Sequence, residues 1–413
     1  MCAVPVDPAA QIRAALDRLA GDLPAFGVAV SGGGDSVALM HIAAAWASGR
    51  RQVSVATVDH GLRPESAEEA RQVAAAAAAL GLSHDRLVWL HEGGGSGNLM
   101  ANARNARLRL LSDWAHRNRL PAVLLGHTAD DQAETLLMRL MRGAGIDGLA
   151  GMAERREAMG ISWVRPMLQV RRTDLRDWLT RQEIGWIDDP SNENTDFDRV
   201  RLRQAMATLD LAPDALALSA ENLRDAREAL SHYTAETAAQ AIVRDGILIL
   251  PFSPIRRAPP EIVRRLLIAG CRWITGADYP PRRASVLHAM QAVLAGSRAT
   301  LDGTLVEPTG DNLRLSREPA AALRAGAGRG PVWDNRWKIT GLGPGEHVAA
   351  LGSAPLSRLD WRTAGLTRDE AASSPAIWRD GELVAAPLLE KSKSHHVAPL
   401  RDATDFRSLL MAH

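Results

Sequence analysis

The chain has 413 residues, which at roughly 100–200 residues per domain predicts two or three domains. Hydrophobic residues make up 46% and charged residues 23%, a globular composition that excludes a disordered or collagen-like chain. Charge is balanced, with 49 Lys and Arg against 48 Asp and Glu, so the total points to no polyanionic partner. The basic residues themselves are lopsided: Lys338, Lys391 and Lys393 stand against 46 arginines, and no phosphate site in the first 337 residues can rest on a lysine. Cys2 and Cys271 are too few for a disulfide framework or a thiolate metal site. The N-terminus lacks a signal-peptide pattern, and the longest apolar run, Val73 to Leu80, falls far short of the ~20 residues that span a bilayer. A cytoplasmic protein without a membrane segment is expected.

In chain order, Phe26 to Val30 reads as a strand and Val37 to Trp46 as a helix. Val53 to Val58 predicts a second strand, followed by a helix from Glu68 to Leu80. Arg86 to Leu90 and Pro121 to Gly126 predict a third and a fourth strand, each with a helix nearby. This alternation predicts an α/β fold with a doubly wound parallel sheet, whose ligands bind beyond the strand C-termini where strand order reverses. Beyond about residue 215 the texture changes. Pro213 to Gln240 predicts a long helix, and Pro260 to Thr275 another, with Pro259 and Pro260 at its start, where a missing N–H matters little. Arg324 to Pro331 reads as a linker of small residues, and Val332 to His413 as a small mixed α/β or β-rich part. Three domains are therefore expected: 1–212, a mainly helical and arginine-rich 213–325, and 331–413.

Ser31-Gly-Gly-Gly-Asp-Ser36 sits between the first strand and the first helix. Glycines there let the backbone approach an anion, and successive N–H groups, a helix N-terminus and two hydroxyls supply donors. No Gly-Lys-Ser/Thr follows, so it is not a Walker A loop, and Val37 occupies the third glycine position of a dinucleotide fingerprint. His127, Asp131 and Glu134 recur at i, i+4 and i+7 after the fourth strand, which stacks them on one helix face. Asp130 reads as a helix-start residue serving the dipole, and Met138 and Met141 as core. Asp59 and His60 close the second strand. Asp59 suits an adenosine contact or a water shell, while His60 is equally a turn residue. Asp188, Asp189 and Asn192 are either a polar rim or a turn around Pro190. His395-His396 reads as surface.

The Ser31–Ser36 loop resembles that of the N-type ATP pyrophosphatases, which cleave ATP between the α- and β-phosphates and adenylate a substrate oxygen. Further segments narrow the resemblance to the tRNA(Ile)-lysidine synthetase family. They are Val58-Asp-His-Gly-Leu-Arg63 with Ser66, Glu69 and Ala70, and Asn98 with Ala103-Arg104 and Ala106-Arg107. Gly126-His-Thr-Ala-Asp-Asp-Gln-Ala-Glu-Thr135, running into Arg142-Gly-Ala-Gly145, then Arg165-Pro166 and Trp186-Ile-Asp-Asp-Pro-Ser-Asn192, complete the series. The motifs span about residues 26–203 in family order. One departure is Val200, which replaces the usual asparagine between Arg199 and Arg203. Pro375-Ala-Ile-Trp-Arg-Asp380 and Leu383-Val-Ala385 weakly resemble the family's last domain.

The resemblance implies ligation of free L-lysine to the wobble cytidine of an isoleucine tRNA with a CAU anticodon. ATP would first adenylate the cytidine, releasing pyrophosphate, and lysine would then displace AMP. Ser31, Gly32, Gly33, Gly34, Asp35, Ser36 and Asp59 are then the expected ATP contacts, and Asp35 and Asp131 the expected Mg²⁺ ligands. Asp131 and Glu134 are expected to bind lysine, His127 to serve the nucleotide or a proton transfer, and Arg107, with Arg104 beside it, to offset charge at the α-phosphate. Asp35, Arg107, His127 and Asp131 form the expected catalytic set. A homodimer is compatible with the sequence.

Charge counted by segment is more informative than the total: −5 over residues 1–250, +6 over 251–300 and 0 over 301–413. The excess resides in Arg256, Arg257, Arg264, Arg265, Arg272, Arg282, Arg283 and Arg298. Arg264, Arg265 and Arg272 share a sector of a predicted helix and suit a phosphate backbone. The expected tRNA-binding set is Arg199, Arg203, Arg256, Arg257, Arg264, Arg265 and Arg272. A further patch, diluted by acidic neighbours, comprises Arg155, Arg156, Arg171, Arg172, Arg199, Arg201 and Arg203. A tRNA thiolase sharing the ATP loop would need paired cysteines near these motifs, and an amide-forming synthetase would lack the 126–135 segment and act without RNA. A non-catalytic tRNA-binding protein is opposed by the intact Asp35, His127, Asp131 and Glu134.

Overall fold

Strand–helix alternation in the first half builds one sheet. A computed structural model describes residues 7–59, 61, 66–89, 99–188, 198–390 and 392–411, and the side chains of 99–104 and 198 are not described. His60, Arg63, Asn98, Asp189 and Asn192 therefore lie outside the described residues, as does the Arg104 side chain. Among the described residues no helix is long and apolar enough to cross a membrane. The chain divides into two compact units, residues 1–227 and 228–413.

The first unit opens with helix α1 (Pro8–Ala20), then β1 (Ala25–Ala29), α2 (Gly34–Ala47), β2 (Gln52–Asp59), α3 (Ser66–Ala79) and β3 (Ser83–Val88). It continues with α4 (Leu99–Arg117), β4 (Ala122–Leu125), α5 (Ala129–Leu140), the single turn α6 (Ile146–Leu149), β5 (Arg155–Ala158), β6 (Ile161–Val164), α7 (Arg172–Arg181) and α8 (Asp198–Thr208). The sheet order is β3-β2-β1-β4-β6-β5, parallel except for β5. The four expected strands are present. The β5–β6 hairpin is an addition, turned by Met159 and Gly160 at φ 55° and 75°. Strand order reverses between β1 and β4, which places the residues after those two strands side by side at the switch point.

Alternation along β1 explains both layers. Phe26 and Val28 point to one face and pack with buried residues of α1, α2 and α7. Ala25 and Ala29 point to the other, where Trp114 of α4 lies fully buried. Gly27 makes room for that indole, because a Cβ there would stand 2.5 Å from its ring. Trp114 Nε1 donates to Asp85 at 2.8 Å, so its polar atom is satisfied as the ring is buried.

Helix α9 (Pro213–Thr237) carries the chain into the second unit. There β7 (Ile242–Arg244), β8 (Ile247–Pro251), α10 (Phe252–Arg257), α11 (Pro260–Thr275), α12 (Arg283–Leu294), β9 (Ala299–Leu301), β10 (Thr304–Thr309), β11 (Asn312–Arg317) and α13 (Pro319–Arg324) follow. The strands form an antiparallel sheet, β7-β8-β11-β10-β9, in a region expected to be mainly helical. The helices are present, and the sheet is an addition to them. Asp245-Gly246 and Asp302-Gly303, all at positive φ, close two of its hairpins, and such Asp-Gly pairs are a strong local hairpin signal. The apolar face of α11 covers this sheet, with Ile262, Leu266 and Ile274 buried. Beyond it lie β12 (Val332–Trp333), β13 (Trp337–Thr340), β14 (Glu346–Ala350), α14 (Arg368–Ala372), β15 (Pro375–Arg379), β16 (Glu382–Ala385), β17 (His396–Pro399) and α15 (Ala403–Met411). They form two three-stranded sheets, β12-β13-β17 and β14-β15-β16, as the mixed reading of this part predicts. His395, read as surface, is instead buried, with Nε2 2.8 Å from Glu346 Oε2; this contact ties the chain before β17 to β14. His396 is exposed.

Candidate active site

Ser31–Ser36 turns the chain from β1 into α2 at the switch point. Gly32 adopts φ 93°, and a Cβ there would lie 2.7 Å from Ile187 Cδ1. The positive φ demands glycine, and a larger residue would also push the Ile187 side chain aside. Ile187 N–H donates to the Gly32 carbonyl at 3.0 Å, so the Trp186-Ile187-Asp188 segment is fastened over the loop. Ser36 Oγ donates to the Gly33 carbonyl at 2.8 Å and accepts from Ser31 N–H at 3.1 Å, with the two hydroxyls 3.2 Å apart. Gly33 caps α2 without a side chain, so the helix presents its N-terminal N–H groups at the loop.

Asp35, in the first turn of α2, meets Asp131 through an arginine that the sequence reading had assigned to a surface patch. Arg172, the first residue of α7, donates from Nε to Asp35 Oδ2 at 2.9 Å and from Nη2 to Asp131 Oδ1 at 3.3 Å. Burial pushes the Asp35 carboxyl above its ordinary range, and Arg172 only partly opposes this. Burial also works against the Asp131 anion, but there Arg172, His127 and the Thr128 hydrogen bonds prevail and hold it below its ordinary range. Burial alone would lower the Arg172 guanidinium; the adjacent carboxylates raise it instead. Asp131 Oδ2 accepts from Thr128 N–H at 2.8 Å and Thr128 Oγ1 at 3.0 Å, which caps α5. Asp130 caps α7 in turn, accepting from Arg172 N–H at 2.8 Å. Caps on two helices thus fix the cluster. His127 precedes α5 and so does not share its helical face, yet it lines the same cleft.

Glu134 is 1% exposed and does not open onto the cleft as a free anion. Arg203 Nε donates to its Oε1 at 2.5 Å, Arg172 Nη1 stands 3.9 Å from the same atom, and Arg199 Nε is 3.8 Å from Oε2. Arg199 and Arg203, expected on a tRNA surface, therefore lie on α8 at the cleft. Val200 between them is buried, so its departure from the family pattern fills core space. Asp59 is outside the cleft lining. Its Oδ1 accepts from Gly61 N–H at 2.9 Å and Ser66 Oγ at 2.6 Å, and Arg86 occupies Oδ2. Burial opposes its ionisation, but these bonds outweigh it and hold the carboxyl low; they leave it no oxygen to spare for a nucleotide.

The cleft measures about 840 Å³ and contains Ser31, Gly33, Gly34, Asp35, Ser36, Arg107, His127 and Asp131 from the expected set. Gly32 sits in the loop itself. Five arginines and three aspartates line it, so positive charge at the loop comes from arginine and not from lysine. Sequence reasoning had missed Arg172 and Arg176 as cleft residues. Their signal was position, just after Arg165-Pro166, and the structure places both in the first turns of α7. Among the described residues no three His, Cys, Asp or Glu side chains gather to hold a metal unaided. Asp35 Oδ1 is nevertheless buried without a hydrogen-bond partner, which fits an oxygen ligand for a cation that phosphate oxygens and water also bind.

In the second unit the expected tRNA-binding arginines divide. Arg264 is paired to Glu261 at 2.6 and 2.7 Å. Arg265 is 9% exposed, bonded to Glu261 at 3.0 Å and Ser231 at 3.4 Å. These two belong to the packing of α11 and not to a free basic stripe. Arg256 is exposed above the Phe252 ring at 4.4 Å, Arg257 is exposed, and Arg272 donates to the Ala277 carbonyl at 3.2 Å. In the first unit the diluted patch disperses too, since Arg155 is engaged by Glu157 and Ser162 and Arg172 turns inward.

A doubly wound sheet bearing a Ser-Gly-Gly-Gly-Asp-Ser turn at its switch point defines a nucleotide-binding α/β protein of the PP-loop class, and the PP-loop domain family matches residues 8–209. Similarity extends beyond that domain. The chain is 46% identical over 396 residues to a tRNA(Ile)-lysidine synthase of Ruegeria pomeroyi, covering 94% of each. It is 33% identical to one of Wolbachia pipientis wMel, covering 87% of this chain and 88% of the relative. A Bradyrhizobium diazoefficiens relative of the same name is 39% identical over 74% of this chain and 93% of its own length. The chain belongs to the tRNA(Ile)-lysidine synthase family.

Proposed function

We propose that the protein is an ATP-dependent ligase that joins free L-lysine to the wobble cytidine of tRNA(Ile) carrying a CAU anticodon. The observation that carries this reading is the 46% identity across 94% of the chain, joined to a cleft whose loop, carboxylates and arginines suit ATP. In the first step the cytosine carbonyl oxygen attacks the α-phosphorus, an O–P bond forms, and pyrophosphate leaves. In the second, the lysine ε-nitrogen attacks the ring carbon that bears that oxygen, a C–N bond forms, the C–O bond breaks, and the oxygen departs with AMP. The loop amides and the Ser31 and Ser36 hydroxyls hold the leaving pyrophosphate, Arg107 offsets charge at the α-phosphate, and Arg199 and Arg203 add positive charge at the cleft. Asp35, through its unpartnered oxygen, and Asp131 would hold Mg²⁺, which when bound neutralises phosphate charge. Lysine carries an ammonium that must lose a proton before attack. Asp131 supplies an anionic contact for which the ammonium competes with Arg172, Glu134 adds its charge from behind Arg203, and His127 takes the proton.

The same reading assigns residues 213–325 and 331–413 to tRNA binding, with exposed Arg256 and Arg257 and half-buried Arg272 along the phosphate backbone, and places the enzyme in the cytoplasm with its tRNA. A homodimer, if formed, appears as twice the chain mass in sedimentation. A thiolase is disfavoured because the described cysteine, Cys271, is buried in the second unit. Purified protein incubated with labelled lysine, Mg-ATP and an unmodified CAU-anticodon transcript is expected to label the RNA. Failure of folded protein to do so overturns the reading. Asp35→Ala is expected to abolish labelling while leaving tRNA affinity within about threefold.

A further inference from the structure

The connection between α11 and α12 holds a side chain that the fold does not explain. Tyr279 exposes 85% of its surface, although the loop beneath it is fastened at both ends. At one end Gly276, at φ 68°, closes α11 by donating to the Arg272 carbonyl at 2.7 Å. Arg272 Nε in turn donates to the Ala277 carbonyl at 3.2 Å, and Asn335 Nδ2 to the Gly276 carbonyl at 3.4 Å. At the other end Pro281 is buried. The ring therefore stands in water on a tethered support, which limits the conformational freedom it must lose on meeting a ligand.

Beside it, Arg282 caps α12 with its backbone and Arg283 is the first residue of that helix. Both are exposed, and neither guanidinium bonds to or pairs with a described residue. Two cations at the positive end of a helix oppose its dipole, and the first turn holds no acidic residue to compensate. Local preference and observed sequence conflict there, which points to a ligand that supplies the missing negative charge. Asp278 is the one acidic side chain in the loop, so the neighbourhood stays basic, as does the +6 segment around it. A flat apolar ring flanked by free guanidinium groups matches a nucleotide, with its π-face and adjoining phosphates. RNA offers such unstacked bases in loops and at ends.

We propose that Tyr279 is a stacking platform for an unpaired base of the tRNA, with Arg282 and Arg283 pairing the adjoining phosphates. This rests on the reading that the substrate is an RNA. The test is tRNA binding by the full chain, using the CAU-anticodon transcript across a salt series, alongside labelled-lysine incorporation. Tyr279→Ala is expected to weaken binding by about five- to 100-fold, the range for one stacked base, and Tyr279→Phe by less than twofold. Arg282→Ala and Arg283→Ala should each flatten the salt slope by about one unit. Turnover at saturating RNA should stay within twofold in all four variants, so the change appears in KM. Thermal midpoints should match wild type, since none of these side chains is packed. Wild-type affinity in Tyr279→Ala, with normal lysine incorporation, overturns the platform and leaves the function intact. Equal loss in Tyr279→Phe would assign the effect to the hydroxyl and overturn stacking. Wild-type protein that binds and modifies no RNA overturns the parent reading, and the platform with it.

Discussion

Replacing Arg172 with methionine removes the one described cation placed between Asp35 and Asp131, at 2.9 and 3.3 Å, while keeping most of the apolar volume. At an effective dielectric of about 20, each contact is worth roughly 5 kcal/mol of gross attraction. Most of that is offset because a buried guanidinium no longer has to be desolvated. The guanidinium retains 21% exposure and the carboxylates can take up protons, so we expect a net loss of about 2–3 kcal/mol, near the lower end for a broken buried pair. In a unit of this size that corresponds to a fall of roughly 4–12 °C in the calorimetric midpoint at pH 7.5. The pH dependence follows from Asp131, which is held below its ordinary range in the fold. A lowered carboxyl stabilises the fold above its unfolded pKa of about 4 and loses that contribution as pH falls through the folded value. The gap between wild type and Arg172→Met should therefore narrow below about pH 4. Adding Asp35→Asn, which removes a carboxylate already strained by burial, should restore part of the loss. A midpoint shift under about 1 °C, or a gap unchanged between pH 7.5 and 3.5, would refute the role given to Arg172.

Other expectations follow from single contacts. Gly32→Ala adds a Cβ at positive φ against Ile187, a strain of about 1–3 kcal/mol, and should reduce ATP affinity more than tenfold by equilibrium dialysis; unchanged affinity would mean that the loop does not hold the nucleotide. Arg265→Ala should destabilise the chain by about 1–3 kcal/mol in urea yet barely alter tRNA affinity, because its guanidinium is spent on Glu261 and Ser231. Arg256→Ala should do the reverse, lowering affinity and flattening the salt slope by about one unit at constant stability. Should Arg265→Ala weaken tRNA binding as Arg256→Ala does, the division of that arginine cluster is mistaken.

Much of the first unit was legible in the sequence, because its signals are local. β-branched runs, glycine-rich turns and helical periodicity fix the order of elements, and chain order then fixes a switch point at which Ser31–Ser36 and His127–Asp131 must meet. The β5–β6 hairpin and the sheet of the second unit escaped for a different reason. Their strands are only three to six residues long, and the residues between them read equally well as loops. For the second-unit sheet the Asp-Gly turns were the available clue, whereas Met159-Gly160 gives no such signal.

Partnership among charged residues is where the sequence fell silent. Arginine has the same formal charge at Arg172, Arg203, Arg265 and Arg282, and spacing along one helix cannot say which carboxylate stands opposite from another. Only packing turned Arg172 toward Asp35, closed Arg203 on Glu134, buried Arg265 against Glu261, and left Arg282 and Arg283 beside an exposed Tyr279. The sequence by itself determined the class of sheet, the phosphate-binding loop and the shortage of lysine that throws phosphate charge onto arginine. The tertiary structure decided which arginines remain available, because swinging a guanidinium away from a carboxylate it already pairs with leaves that charge uncompensated, a cost that an RNA phosphate would have to offset.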